Sequence, residues 1–506
     1  MTTKEENQEK IGLLIKSLRE SKDLTQKDLA KLLKTSQSAV ARMERGGQNF
    51  TTQEITKISN VLNRKIISID DSMDFEIQGG RKLKGSVDVN TSKNGALALM
   101  ATSLLNDGTT IVRDIPKIEE INRLIELFEA IGVKVRWVDG NSLEIKKPEK
   151  IKIKNLLDES ARRIRSGLML IGPLLHLENE FKLPHAGGCK MGQRTIAAHK
   201  YAVEELGAKV VTNAEDYTIS KKKLKTGDIV MYEMSDTATI NALLTAAKIP
   251  GETVIRFASA NYQVQDVCFM LEKMGVKVDG IGTTIMTVHG IPEINKKVEH
   301  HVSEDPTEAM FWLASGIVTS SEFEIKRCPI DFLSLELLKL EKMGLKYKKS
   351  KKYKSKNGRT DLVDVKLKPS KLKAPQDKIH AQPYPGINTD NLPFFATIAT
   401  LAQGTTLIHD WMWENRAIYF TELNRLGAQV DLADPHRVFV TGPSNLKATQ
   451  IVCPPALRPA TIILVAMLAT PGKSVLRNVY SIRRGYEDVA ERLNKVGAKI
   501  KVVKAF

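Results

Sequence analysis

Cys189 lies in the segment His185-Ala186-Gly187-Gly188-Cys189-Lys190-Met191-Gly192-Gln193-Arg194, where three glycines flank it and two cations stand within five residues. A thiol does chemistry as a thiolate or as a tuned acid, and neighbouring cations lower its pKa. Glycines let a loop take backbone angles that other residues resist and approach a ligand closely. The loop alone supports two readings: a cationic loop presenting a reactive thiol, or a turn around a buried, inert cysteine.

The elements that must position this loop repeat along the chain. A helical apolar pattern ends in a Gly-x-Lys-Val-like step at Gly132, Gly207, Gly275, Gly344, Gly427 and Gly497, with spacings of 75, 68, 69, 83 and 70 residues. Glycine ends the helix and the β-branched residues after it start a strand. Strand signals with a turn residue recur at Gly108–Val112, Gly251–Ile255, Gly404–Ile408 and Gly472–Leu476. Each unit is therefore α and β, too long for a solenoid repeat and too short for a comfortable domain. Six such units predict two three-unit globules with a cleft between them. The segment between strand and helix carries Cys189 and Arg194 in the second unit. It carries Trp413-Glu414-Asn415-Arg416 in the fifth and Ile482-Arg483-Arg484-Gly485-Tyr486-Glu487 in the sixth. Chemically demanding residues in equivalent loops are expected to converge.

The chain has 506 residues, 42% of them hydrophobic, which suits several globular domains. Its four cysteines, Cys189, Cys268, Cys328 and Cys453, form no Cys-x-x-Cys pair. Neither a disulfide framework nor a thiolate zinc site is expected, and a reducing, cytoplasmic setting fits. The polar N-terminus is unlike a signal peptide, and the longest apolar run, Ala460 to Ala469, is too short for a bilayer. The net charge of +17 points to anionic partners. Ten of those charges come from residues 346–373, where twelve Lys or Arg face two Asp. This run, with the long spacing around it, reads as a solvated loop insertion.

Residues 11 to 62 carry apolar positions at helical spacing. Thr25 can cap a helix from Gln26 to Leu33, and Ser36 can cap one from Gln37 to Arg45 that Gly46-Gly47 stops. Two short helices joined by a tight turn make a helix-turn-helix. The runs Thr25-Gln26-Lys27-Asp28-Leu29-Ala30 and Ser36-Gln37-Ser38-Ala39-Val40-Ala41-Arg42-Met43-Glu44-Arg45-Gly46 resemble the lambda-repressor/Cro family. That resemblance implies double-stranded DNA as a partner of residues 1–70. Gln37, Ser38 and Arg42 would face base edges in the major groove and Gln26 would touch a phosphate. A homodimer on two half-sites is compatible with such a module.

From residue 79 onward the chain resembles the UDP-N-acetylglucosamine 1-carboxyvinyltransferases, a family of enolpyruvyl transferases. The resemblance rests on Ser92-Lys93-Asn94-Gly95-Ala96-Leu97, Arg165 before Gly172-Pro173-Leu174, the Cys189 loop through Arg194, Thr389-Asp390, Glu414-Asn415-Arg416, Leu457-Arg458 and Arg484-Gly485-Tyr486-Glu487. It implies an α/β fold of two inside-out barrels of three repeats each, behind a small all-α domain. The division implied is residues 1–70 for DNA, 71–80 as linker, and 81–506 as transferase. Within the last, 93–303 form one barrel, and 81–92 with 304–506 the other, with 346–373 inserted.

The implied reaction joins the enolpyruvyl group of phosphoenolpyruvate to the 3-hydroxyl of UDP-N-acetylglucosamine, releases phosphate and commits the sugar nucleotide to peptidoglycan and the bacterial cell wall. No cofactor or metal is implied. Cys189 would be the general acid and the site of a covalent adduct, and Asp390 the base. Lys93, Arg194 and Arg484 would hold the phosphate, and Arg416 and Arg458 the carboxylate. Asn94 would contact the sugar nucleotide, and Arg165 belongs to the substrate-binding set. The related transferases acting on shikimate 3-phosphate carry an asparagine-alanine-glycine-threonine segment that is missing here.

The chain departs from the family pattern at the uridine end. Thr195-Ile196-Ala197-Ala198 replaces proline-valine-aspartate-leucine, and Glu233 and Ser235-Asp236-Thr237 replace a lysine and a serine-valine-glycine run. Glu233 or Asp236 beside a diphosphate would repel it. Three readings follow: a divergent transferase of this specificity that binds DNA, the same chemistry on a different sugar nucleotide, or a catalytically retired, ligand-sensing transcriptional regulator. Retention of Cys189, Asp390 and the cation set speaks against the third, since a pure sensor needs neither acid nor base.

Overall fold

The computed structural model describes residues 11–13, 15–16, 18–20, 24–47, 50–61, 73–157, 166–185 and 195–504. Contacts divide the chain into a unit over Met1–Ser72, grouped with Lys504–Phe506, and a unit over Met73–Val503.

In the first unit, hydroxyl side chains start the helices. The Asp28 backbone N–H donates to Thr25 Oγ1 at 3.2 Å, and the Thr25 N–H donates back to Asp28 Oδ2 at 3.0 Å. This reciprocal cap opens α1 (Gln26–Leu33). Ser36 Oγ accepts from the Ala39 N–H at 3.2 Å and opens α2 (Gln37–Glu44). A third helix, α3 (Thr52–Val61), follows. Ile15, Leu18, Leu29, Leu33, Val40, Met43, Ile55 and Ile58 fill the core between them. A buried ion pair, Arg19 Nε to Glu44 Oε1 at 2.5 Å, braces α2 against the preceding helical segment.

The second unit contains, among the described residues, α4 (Lys93–Ser103), α5 (Glu119–Ala130), α6 (Ile171–Leu174), α7 (Ala197–Glu205), α8 (Asp236–Ala246), α9 (Tyr262–Met274), α10 (Pro306–Val318), α11 (Ser334–Lys342), α12 (Leu392–Ala399), α13 (Leu457–Ala469), α14 (Tyr480–Arg483) and α15 (Val489–Lys495). Helices α4, α8, α10, α12 and α13 have almost no polar face and are buried nearly all round. A helix apolar on every side belongs in an interior, so helices form the centres and small sheets the outside. The apolar run at Ala460 is the middle of α13. One core joins Phe75–Val89 to residues from Ala309 to Ile500. The other runs from Ala96 to Val302.

Among the described residues, six sheets surround these cores. Five share one plan: a short strand parallel to a longer one, which is antiparallel to a third strand. Asp228–Val230 beside Gly251–Arg256 is an example. In the first repeat, the parallel strand Val298–His301 comes from the far end of its half. In the fourth it is Ser86–Asp88, from before α4. The chain thus crosses between halves twice, near residues 89–92 and 302–305. All six step glycines have positive φ: Gly132 90°, Gly207 95°, Gly275 100°, Gly344 106°, Gly427 87° and Gly497 99°. The repeated step is therefore a backbone requirement, a left-handed helix stop.

Two expectations are corrected. Residues 71–80 are not a plain linker, because Met73–Gly79 is a strand paired with Gly472–Arg477. Its alternation puts Phe75 and Ile77 into the core. Residues 346–373 are not a loop excursion. Lys346–Lys349, Tyr353–Lys354 and Asp361–Lys368 are strands of a five-stranded sheet. Leu362, Val363, Val365 and Leu367 point inward while Lys366 and Lys368 face water, so the lysines decorate one face of a hairpin.

Candidate active site

Among the described residues, Lys93, Glu120, Asp390, Arg416, Arg458 and Arg484 form one chain of ion pairs and close charge contacts between the two halves. Lys93, first in α4, and Glu120, in the first turn of α5, come from one half. The other half supplies Asp390 before α12, Arg416 after the strand Gly404–His409, Arg458 at the start of α13, and Arg484 after α14. Asp390 is steered by its loop: its N–H donates to Asn388 Oδ1 at 2.9 Å. The Asn388 N–H and Asn391 Nδ2 both donate to Glu336 of α11, at 3.0 and 2.8 Å. Gly485 lets the Arg484 loop press on α13, since a Cβ there would lie 2.2 Å from Leu457 Cδ2.

The charges interlock. Arg458 NH2 donates to Asp390 Oδ2 at 2.9 Å, and its NH1 to the Tyr486 hydroxyl at 3.1 Å. Arg416 is fully buried. Its Nε pairs with Asp410, and its NH2 donates to Asp410 Oδ1 at 2.9 Å and to the Thr389 carbonyl at 2.6 Å. Arg416 NH1 has no hydrogen-bond partner and points toward Asp390 Oδ1, 3.8 Å away. A buried guanidinium with a free edge calls for an acceptor, and an anion's oxygen would supply it. Lys93 Nζ donates to Glu120 Oε2 at 2.5 Å, while Arg484 NH2 reaches Glu120 Oε1 from the other half at 3.9 Å. Asn94 stands beside Lys93 in the first turn of α4, half-buried.

These neighbours set the ionisation. Burial alone would raise the Asp390 carboxyl, but Arg458, Arg416 and Lys93 bring it down to about 2. Burial also opposes ionisation of Glu120, and Lys93, Arg484 and Arg458 outweigh it. Asp305, which caps α10, is pushed up to about 6 by burial, with Arg458 working against this and Glu308 for it. Asp236 is raised by burial, with the hydrogen bonds from Ser259 and Asn261 working against this and the charge of Asp390 adding to it. Its carboxylate accepts from Ser259 Oγ at 2.5 Å, Asn261 Nδ2 at 3.0 Å and Gln263 Nε2 at 2.8 Å. Glu233 is exposed. The buried His199 ring meets Asn241 at 2.7 Å and Thr237 at 3.2 Å.

Arg165, Cys189 and Arg194 lie outside the described residues. Of the other cysteines, burial pushes Cys453 up to about 12 and Cys268 and Cys328 higher still, so all three are inert thiols. Nothing in the sequence marks Glu120 or Asp410 as site residues. Glu120 follows Glu119 at a helix start, where acidic residues are ordinary dipole partners. Only Glu119 plays that outward part, pairing with Arg123 at 2.7 Å. In the N-terminal unit, Gln37, Ser38 and Arg42 lie exposed on α2. Gln26 is drawn inward: its Nε2 donates to Glu44 Oε2 at 2.8 Å. No described helix is long and apolar enough to cross a membrane.

A family model described as EPSP synthase (3-phosphoshikimate 1-carboxyvinyltransferase) matches residues 77–501, and a helix-turn-helix model matches residues 15–68. The UDP-N-acetylglucosamine 1-carboxyvinyltransferase of Treponema denticola is 34% identical over 433 residues, covering 85% of this chain and 99% of that protein. The protein of the same name from Bradyrhizobium diazoefficiens is 32% identical over 436 residues, covering 85% and 98%. Among solved structures, the enolpyruvyl transferase NikO from Streptomyces tendae superposes with a TM-score of 0.73 at 22% identity, covering 86% of this chain and all of that one. EPSP synthase from Acinetobacter baumannii gives 0.67 at 17% identity, covering 85% of this chain and all of that one. Fold, repeat plan and sequence kinship agree: the chain belongs to the EPSP synthase family of enolpyruvyl transferases, with a helix-turn-helix domain at its N-terminus.

Proposed function

We propose that the chain transfers the enolpyruvyl group of phosphoenolpyruvate to the 3-hydroxyl of UDP-N-acetylglucosamine and releases phosphate. The observation that carries this reading is the gathering of Lys93, Arg416, Arg458 and Arg484 around Asp390 and Glu120 from both halves of one cleft. Such a set suits a small molecule bearing both a phosphate and a carboxylate. Arg416 and Arg458 take the carboxylate, and Lys93, Arg484 and Arg194 the phosphate. Asn94 and Arg165 serve substrate binding.

Once the substrate carboxylate takes up the two arginines, Asp390 loses its counter-ions and becomes a stronger base for the acceptor hydroxyl. The hydroxyl oxygen then bonds to C-2 of phosphoenolpyruvate as Cys189 protonates C-3. A C-3 proton then returns to the Cys189 thiolate, restoring the C-2 to C-3 double bond as the C-2 to phosphate-oxygen bond breaks and phosphate leaves. The cations stabilise the charge that develops. Phosphate release from the two substrates, with Cys189→Ser alongside, tests the reading. Absence of release by the wild type at saturating substrate would sink it.

A second reading keeps the chemistry but changes the acceptor. It is favoured by Asp236, whose carboxylate occupies three side-chain donors at the start of α8. A panel of sugar nucleotides in the same assay separates the two. For residues 1–70 the proposal is duplex DNA, with α2 in the major groove presenting Gln37, Ser38 and Arg42 and with Gln26 beside a phosphate.

A further inference from the structure

The hairpin that accounts for the long fourth spacing does more than add a strand. Its arms, Tyr353–Lys354 and Asp361–Lys368, belong to the second half. Its tip, residues 355–360, lies against the first. Lys356 Nζ reaches Asp114 Oδ1 at 3.1 Å. Arg359 pairs with Glu272 of α9, and its guanidinium lies 5.1 Å from the Phe269 ring centre. Between them Asn357 is buried. Its Oδ1 accepts the N–H groups of Arg359 at 2.9 Å and Thr360 at 3.0 Å, and its Nδ2 donates to Thr360 Oγ1 at 2.9 Å. The same Nδ2 approaches Asp266 Oδ1 at 3.5 Å.

Asp266 is the hub of the chain crossing. It accepts from His300 Nε2 at 2.8 Å, and from the Ser303 N–H and Oγ, both at 2.9 Å. The Ser303 carbonyl accepts from the Ser92 N–H at 2.8 Å. Ser92 Oγ accepts from the Gly95 N–H at 3.1 Å and so caps α4, whose first residue is Lys93. Asp114, the partner of Lys356, accepts from His301 Nδ1 at 2.6 Å, and its carbonyl accepts from Thr91 Oγ1 at 2.5 Å. Both crossing segments are thus tied to the tip within two or three hydrogen bonds.

We propose that the tip is a positioning element for the transfer site. Asn357, acting through Asp266, Ser303 and Ser92, and Lys356 and Arg359, acting through Asp114 and α9, fix the crossing so that Lys93 stands opposite Asp390 and Arg484. The proposal rests on the reading that Lys93 holds the phosphate of phosphoenolpyruvate. The three tip residues touch no substrate. Geometry errors of about 1 Å at a binding group are enough to weaken transition-state contacts.

The test uses the full-length chain, with Asn357→Ala, a Lys356→Ala/Arg359→Ala pair, and Arg359→Lys. Amide hydrogen exchange over residues 93–97 is read together with KM and kcat. In Asn357→Ala and in the pair, exchange at Gly95 is expected to speed up about tenfold, while α12 stays protected. The phosphoenolpyruvate KM should rise about five- to tenfold with kcat within about threefold. Arg359→Lys should stay near wild type. Should Asn357→Ala not fold, the pair, whose side chains are exposed, gives the same readout. Unchanged exchange at residues 93–97 overturns the positioning role. Loss of protection spread evenly through α12 does so too, because the tip would then serve stability alone. If the wild type turns over neither substrate, the transfer reading fails while the exchange comparison still decides the proposal.

Discussion

At the scale of single residues the cleft works by opposing burial with charge. Asp390 lies near the low end of the carboxylate range because three cations face it. It is therefore expected to be ionised around neutral pH, and the acid limb of a kcat/KM profile should belong to another group. Replacing Asp390 by Ala is expected to lower kcat about 10²–10⁴-fold, as loss of a general base does, measured by phosphate release. Glu120→Gln removes the carboxylate shared by Lys93 and Arg484. A loss of about 1–3 kcal/mol in a denaturant titration is expected, because two cations lose their acceptor. Asp305 behaves in the opposite sense, its carboxyl being raised to about 6. Such a group contributes stability below the ordinary carboxyl range, and that contribution is lost as pH rises through 6. Asp305→Asn keeps the helix cap, so it should match wild type near pH 4 and exceed it in melting temperature near pH 7. Equal melting temperatures at both pH values would refute this.

At the scale of elements, the six step glycines make the repeat. Gly275 sits at φ 100° at the end of α9, with its N–H bonded back to Leu271 and Glu272 carbonyls. Gly275→Ala is expected to cost about 1–2 kcal/mol, the penalty of a left-handed angle for a residue with a Cβ, read from the denaturation midpoint. In the N-terminal unit, Arg42→Ala on the exposed face of α2 should weaken binding to a preferred site by about 1–3 kcal/mol while sparing the fold. The lysine hairpin shows how a pattern can be hidden. Its period-two alternation of Val363, Val365 and Leu367 with Asp364, Lys366 and Lys368 is a strand signal. The charge density around it masks that signal, because runs of like charge are the mark of a solvated loop. Residues 73–79 are likewise hidden, since a strand's partner, here Gly472–Arg477, lies about 400 residues away in sequence.

At the scale of the whole molecule, the two units are expected to separate by function. A chain beginning at Met73 should keep enolpyruvyl transfer and lose most salt-sensitive affinity for duplex DNA. Equal affinity with and without residues 1–72 would move the DNA contact to the lysines of residues 346–373. The helix caps, the step glycines and the cation-bearing loops were legible in the chain itself, because each follows from local backbone and side-chain chemistry. So was the kinship, because the motifs keep their order. What the tertiary structure decided is which of those residues meet. Glu120 became the shared counter-ion of Lys93 and Arg484, and Asp410 the partner of Arg416, through contacts between segments up to about 360 residues apart. A carboxylate's role depends on the burial and charge around it, and those are properties of the fold rather than of any stretch of sequence.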